Sequence, residues 1–139
     1  HNLDIIHADL KPENILIKNN ILKIIDFGSS FIENNQEIYY KYIQSRWYRS
    51  PEVLHNKKIT KKIDMWSYGC IIYELYNKDP LFPAKNENQL IYMINKISNN
   101  KNFLFIDNNI KLNNIIKKCI VFDYKNRFSS KELHNEIFN

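Results

Sequence analysis

A mainly α-helical fold carrying one small β-hairpin is predicted by two features of the chain. Between Thr60 and Tyr76 apolar residues fall on most faces of a helix, and Ile15-Leu16-Ile17-Lys18 and Ile21-Leu22-Lys23-Ile24-Ile25 flank an Asn19-Asn20 pair. The first pattern belongs to a buried helix. The second belongs to two short strands joined by a two-residue turn, because asparagine tolerates the positive φ that such turns require. A chain of 139 residues with 44% apolar content can bury one core of ordinary size, so residues 1–139 are read as one globular unit without repeats or an internal linker.

Taken in order, the hairpin sets Asn14 opposite Ile25, with Asp26 one step further on. After Gly28 a polar, aromatic stretch runs to about Lys58 without a sustained period, and a long functional loop is expected there. The segment Ile63 to Tyr76 should form a central, largely buried helix that ends at Asp79-Pro80 and Pro83. A shorter helix is expected from Asn88 to Ile97, with Leu90, Ile91, Ile94 and Ile97 on one side, and another from about Leu112 to Phe122. Ser129 and Glu132 have the spacing of a capping box, which opens a last helix through Leu133 and Ile137.

Composition removes several function classes. The formal charge of +5 invites a nucleic-acid partner, yet only three of the twenty basic residues are arginine and the lysines form no long run, which argues against one. No apolar run reaches the ~20 residues of a membrane span, and no signal-peptide pattern opens the chain, so an intracellular, membrane-free protein is expected. Cys70 and Cys119 lie far apart in apolar stretches without metal spacing and read as buried free thiols. Ile, Asn and Lys recur evenly along the chain as nucleotide bias would produce, and little chemistry is read from them.

The chemistry concentrates at the hairpin. Its two ends meet in space, which brings the Asn14 amide oxygen and the Asp26 carboxylate within reach of one hard cation such as magnesium on nucleotide phosphates. Asp9, five residues before Asn14, lies close enough to accept the proton of an incoming hydroxyl, and Lys11 can neutralise charge on a transferred phosphoryl group. Each residue alone would be an ordinary turn, cap or solvated side chain. Together, in the order H-x-D-x-K-x-x-N, hairpin, D-F-G, they fit a phosphotransferase site. His7 has neither the spacing nor the neighbours of a base and reads as a packing histidine.

His7 to Asn14 with Asp26-Phe27-Gly28 resembles the catalytic and magnesium loops of eukaryotic protein kinases. Ser50-Pro51-Glu52 resembles the A-P-E motif that closes the activation segment, and Asp64-Met65-Trp66-Ser67-Tyr68-Gly69 resembles the signature of the central helix of the large lobe. The only two glycines, Gly28 and Gly69, both fall inside these motifs. The resemblance implies the large, C-terminal lobe of a protein-kinase-like fold over residues 1–139, with ATP and Mg2+ as cofactors and protein substrates as partners. It further implies an ion pair between Arg127 and Glu52, with Phe27 and Asp64 in structural roles.

A finer resemblance lies in Tyr40-Lys41-Tyr42-Ile43-Gln44-Ser45-Arg46-Trp47-Tyr48-Arg49-Ser50-Pro51-Glu52, which is similar to the dual-specificity tyrosine-regulated kinases. By that likeness Tyr42 is autophosphorylated, Ser45 helps seat a hydroxyl substrate, and serine or threonine is the external acceptor. A phosphate on Tyr42 would add about −2 charge near Arg46 and Arg49, which could pair with it and order the loop. Most protein kinases carry an arginine at the place of Ala8, where it clamps a phosphorylated loop. Ala8 resembles the homeodomain-interacting kinases instead, whereas Asp26 to Ser30 and Tyr42 to Gln44 favour the dual-specificity group.

The chain opens on His1 and contains no glycine-rich loop and no strand lysine for the phosphates, so a piece of a longer chain is expected, inactive on its own. The front half of the helix that precedes His7 in the family is also missing, and the apolar surface that meets it is expected to be exposed. Only Ser98 to Lys111 stand where relatives carry an insert between later helices. The rival reading is a catalytically inactive scaffold or regulatory fragment, against which the intact Asp9, Asn14 and Asp26 argue.

Overall fold

The computed structural model describes residues 1–34, 42–99 and 109–138. The element order is β1 (Ile5–Ile6), β2 (Ile15–Lys18), β3 (Ile21–Ile24), β4 (Phe31–Ile32), α1 (Pro51–Leu54), α2 (Lys62–Asn77), α3 (Glu87–Asn99), α4 (Ile110–Cys119) and α5 (Ser130–Phe138). Single 3-10 turns cover Pro12–Asn14, Phe27–Ser29 and Arg46–Tyr48.

The hairpin forms at the expected register. Ile15 faces Ile24 and Lys18 faces Ile21, with Asn19 and Asn20 at φ of 51° and 59° in the turn. The register extends past the strands, since the Ile25 N–H donates to the Asn14 carbonyl at 2.9 Å. A second antiparallel pair, Ile5 to Ile32 and Ile6 to Phe31, was not foreseen. Two residues per strand are too few for a period of two to show. This pair, the two 3-10 turns and α1 correct the expectation of one structureless loop from Gly28 to Lys58, of which residues 35–41 lie outside the described ones.

Helix α2 is the spine of the core. Ile63, Asp64, Met65, Trp66, Ser67, Gly69, Cys70 and Ile71 are buried, and the helix emerges into solvent beyond them, leaving Leu75 and Tyr76 exposed. The expectation of a largely buried helix therefore holds for the first two and a half turns. It ends at Lys78, whose φ of 63° lets the backbone N–H return to the Glu74 carbonyl. Trp66 stacks on Phe82 with ring centroids 5.7 Å apart, and Leu90, Ile94 and Ile97 of α3 and Ile116 of α4 complete the cluster. Helix α4 starts two residues earlier than expected because the Asn109 side chain caps it by accepting the Leu112 N–H at 3.0 Å, and it stops at Cys119. At α5 the capping box closes in both directions: the Ser129 N–H donates to Glu132 Oε2 at 2.7 Å, and the Glu132 N–H donates to Ser129 Oγ at 3.2 Å.

Both cysteines are buried free thiols, and burial pushes the Cys119 thiol up to about 12. No helix among the described residues is long and apolar enough to cross a membrane. An open groove of about 1110 Å³ runs beside the hairpin end and α5, lined by apolar side chains that include Leu3, Phe27, Met65 and Leu133.

Candidate active site

The loop from His7 to Asn14 hangs from α2. Asp64, buried in the first turn of that helix, accepts the N–H of His7 at 2.7 Å and of Ala8 at 3.0 Å, and His1 Nε2 lies 2.9 Å from the same carboxylate. Burial pushes the Asp64 carboxyl up, and the two backbone donors oppose that. Ala8 takes a φ of 65°, which turns the chain so that Asp9 leaves the core toward the hairpin end. His7 does more than pack. It accepts the Asp9 N–H at Nδ1 (3.3 Å), which places its proton on Nε2, 2.9 Å from the Ile25 carbonyl, and its ring meets Phe27 edge-on at 5.0 Å. One buried imidazole thus ties Asp9 to the residue before Asp26.

Around Asp9 the donors converge. Lys11 Nζ donates to Oδ2 at 2.9 Å, while Ser45 donates both its N–H (2.8 Å) and its hydroxyl (2.7 Å) to Oδ1. Lys11 Nζ also reaches Ser45 Oγ at 3.2 Å, which closes a triangle. Burial alone would raise the Asp9 carboxyl, and the bonds from Lys11 and Ser45 outweigh it, holding the group below the usual carboxylate range. Lys11 is raised by its bond to Asp9 and, more weakly, by the charges of Glu13 and Asp26. At neutral pH the pair is therefore an ionised carboxylate beside an ammonium.

Asn14 is buried at the end of the 3-10 turn and donates its amide N–H to the Asp9 carbonyl at 2.9 Å. That bond commits the nitrogen and leaves the amide oxygen with no protein partner among the described residues. Asp26 holds a left-handed φ of 62° on an exposed turn, and among the described residues its carboxylate accepts only the Gly28 N–H, at 3.3 Å. Joined through the Ile25 to Asn14 backbone bond, the two side chains offer a neutral oxygen and an anionic one. A hard cation that takes its remaining ligands from phosphates fits that donor set. Among the described residues no cluster of three His, Cys, Asp or Glu side chains forms an all-protein metal cage, and such a site needs none.

Farther along the activation segment, Tyr42 is 81% exposed, with the Arg49 guanidinium carbon 5.0 Å from its ring centre. Arg49 itself is buried. Its Nε donates to the carbonyls of Ile43 (3.1 Å) and Gln44 (3.2 Å), and Nη1 lies 3.5 Å from Glu87. Arg46 donates to the Lys85 carbonyl at 3.1 Å. Tyr40 and Lys41 of this motif lie outside the described residues.

Away from the site, Glu52 and Arg127 form a buried, bidentate pair at 2.6 and 2.9 Å. The carbonyls of Lys62 and Val121 take the other donors, so every guanidinium N–H is used. Sequence reasoning missed Gln44, whose buried side chain bonds Ile63, Ser67 and Ser50. Its only signal in the sequence is a polar residue inside an activation-segment motif.

Known proteins resemble the chain over nearly its whole length. The sequence matches the protein kinase domain family over residues 1–138. It is 52% identical over 97 residues to the probable serine/threonine-protein kinase dyrk2 of Dictyostelium discoideum, covering 68% of this chain and 10% of that protein. It is 55% identical over 87 residues to dual specificity tyrosine-phosphorylation-regulated kinase 2 of Drosophila melanogaster, covering 60% of this chain and 12% of that one. The fold superposes on a chain of the crystal structure of the yeast RNA Pol II CTD kinase CTDK-1 complex with a TM-score of 0.82 and 29% identity, over 96% of this chain and 55% of that chain. The chain thus spans about a tenth of the length of these two curated relatives.

Proposed function

Because the chain belongs to the protein kinase family and is similar to its dual-specificity tyrosine-regulated members, we propose that residues 1–139 are the large lobe of an ATP- and magnesium-dependent kinase. Its substrates are serine and threonine side chains of proteins, and it phosphorylates its own Tyr42. The observation that carries this reading is the triangle of Asp9, Lys11 and Ser45, with Asn14 and Asp26 beside it.

In that reading Asp9 accepts the proton of the attacking hydroxyl. Its depressed carboxyl keeps it ionised and ready at neutral pH, and the fixed donors on both oxygens hold it in one orientation. Lys11 places its positive charge where the transferred phosphoryl group would gather negative charge. Ser45 flanks the acceptor position. Asn14 and Asp26 would hold the magnesium ion, which when bound neutralises phosphate charge. Tyr42 stands exposed as an acceptor for the kinase's own reaction, and a phosphate there would meet the guanidinium of Arg49, with Arg46 as a second cation. Phosphoryl transfer in this family also uses a glycine-rich loop and a strand lysine, and residues 1–139 contain neither motif. Two buried, unpaired thiols fit a reducing, intracellular setting.

The test is transfer from labelled ATP by the purified parent protein, with and without Mg2+, to Ser/Thr and to Tyr peptides, followed by mass spectrometry of the activation segment. Magnesium-dependent labelling of Ser/Thr peptides and a phosphate on Tyr42 are expected. ATP binding without transfer would leave the chain as an inactive, partner-binding relative of kinases.

A further inference from the structure

Gln44 lies where the activation segment passes behind the catalytic loop. It is 5% exposed and has a φ of 64°, a backbone state that residues with a side chain seldom adopt. Its amide is saturated. Nε2 donates to the Ile63 carbonyl at 3.0 Å and to Ser67 Oγ at 2.8 Å, while Oε1 accepts the N–H (2.9 Å) and the hydroxyl (3.0 Å) of Ser50. The backbone is equally engaged: the N–H donates to the Ala8 carbonyl at 2.9 Å, and the carbonyl accepts Arg49 Nη2 at 2.9 Å. The next residue, Ser45, delivers its N–H and hydroxyl to Asp9 Oδ1. A single peptide unit therefore separates an anchor in α2 from the carboxylate of the site.

We infer that Gln44 is a positioning residue for phosphoryl transfer: its side-chain amide pins a left-handed turn to α2, and that turn sets Ser45 against Asp9. The inference rests on the reading of Asp9 as the base. A strained backbone state persists only where its surroundings over-determine it, and here the four amide bonds do so. Ala8, at the place of the arginine that clamps a phosphorylated loop in most kinases, contributes only backbone: its N–H goes to Asp64 and its carbonyl accepts from Gln44. With no arginine at position 8, the two segments are joined by the Gln44 N–H on the Ala8 carbonyl and by Ser45 on Asp9. Leucine, of similar size, would fill the space but leave the buried Ser50 N–H without its acceptor and release the turn.

The experiment is steady-state kinetics of the parent kinase carrying Gln44→Leu, Ser45→Ala or both, with thermal melts to report folding. Misplacing Ser45 should lower kcat roughly 10- to 100-fold and leave the KM for ATP within about twofold. Because Gln44 acts through Ser45, the double variant should be no more than about twofold worse than the poorer single one. If Gln44→Leu does not fold, Gln44→Gly replaces it. Glycine keeps the left-handed turn without strain, and a smaller loss of roughly 3- to 10-fold is expected, again absent on the Ser45→Ala background. Multiplying losses in the double variant, or a fall in rate that merely tracks the loss of folded enzyme, would overturn the inference and leave the kinase reading intact. A parent without any transfer that depends on Asp9 would overturn both.

Discussion

Asp9 and Asp26 belong to one constellation, and their surroundings differ in nearly everything that matters to a carboxylate. Asp9 receives three hydrogen bonds from Lys11 and Ser45, on a loop hung from the buried Asp64. Asp26 receives one long bond from the Gly28 N–H, beside Phe27 at 56% exposure and a hairpin whose Ile17 is 73% exposed. The proposed acceptor side is tied to this lobe's core through Asp64 and Gln44. On the proposed nucleotide side, Asn14 is buried against the Asp9 loop, whereas Asp26 ends a hairpin whose outer residues are exposed. In the proposed reading, a site built this way holds the base in one orientation and leaves the Asp26 carboxylate free to adjust when nucleotide arrives.

That contrast is open to attack by mutation, beginning on the anchored side. Arg127→Met should destabilise the parent protein by about 3–5 kcal/mol in urea titrations, because Glu52 would be left buried and unpaired. Adding Glu52→Gln should recover part of the loss, and a cost below about 1 kcal/mol for the single variant would show the pair is not an anchor. Gly69→Ala comes next. A Cβ there would lie 2.7 Å from Cys119 Cβ and 2.8 Å from Ile120 Cδ1, and forcing α2 and α4 apart should cost about 1–3 kcal/mol.

A smaller effect is expected from pH. Since the folded-state Asp9 carboxyl lies below its unfolded value of ~3.9, it contributes stability above that value, and the contribution is lost as pH falls through the folded value. The stability gap between wild type and Asp9→Asn should therefore shrink between neutral pH and about pH 3. A gap that widens on acidification would mean that Asp9 is not held by Lys11 and Ser45. The smallest effect belongs to the other side of the site: Ile17→Thr on the exposed hairpin should change stability by no more than about 0.5 kcal/mol. A larger loss would show that the hairpin is anchored after all.

These regions were unequally legible from sequence, and the reasons are physical. The hairpin register followed from one turn, because asparagines at positive φ leave few ways to pair the flanking strands. The positions of Asp9, Lys11, Asn14 and Asp26 followed from spacing, since all four lie within one loop and one hairpin. Bonds between distant segments were harder to see. Ser45 comes to Asp9 from thirty-six residues away, and Gln44 reaches α2 over nineteen and twenty-three; local pattern carries no trace of such distances. The β1–β4 pair escaped for the same reason, being short in sequence and long in contact. The start of α4 was misplaced because a capping asparagine looks like any other in a chain so rich in them.

Asp9 is the residue on which the proposed chemistry turns. With Mg2+-ATP and a serine peptide bound to the parent protein, single-turnover quench-flow of wild type and Asp9→Asn isolates the transfer step. We predict a rate roughly 10²- to 10⁴-fold lower for the variant at nearly unchanged nucleotide affinity. Equal rates in the two proteins would contradict the assignment of Asp9 as base and, with it, the reading of this lobe as the acceptor half of a kinase.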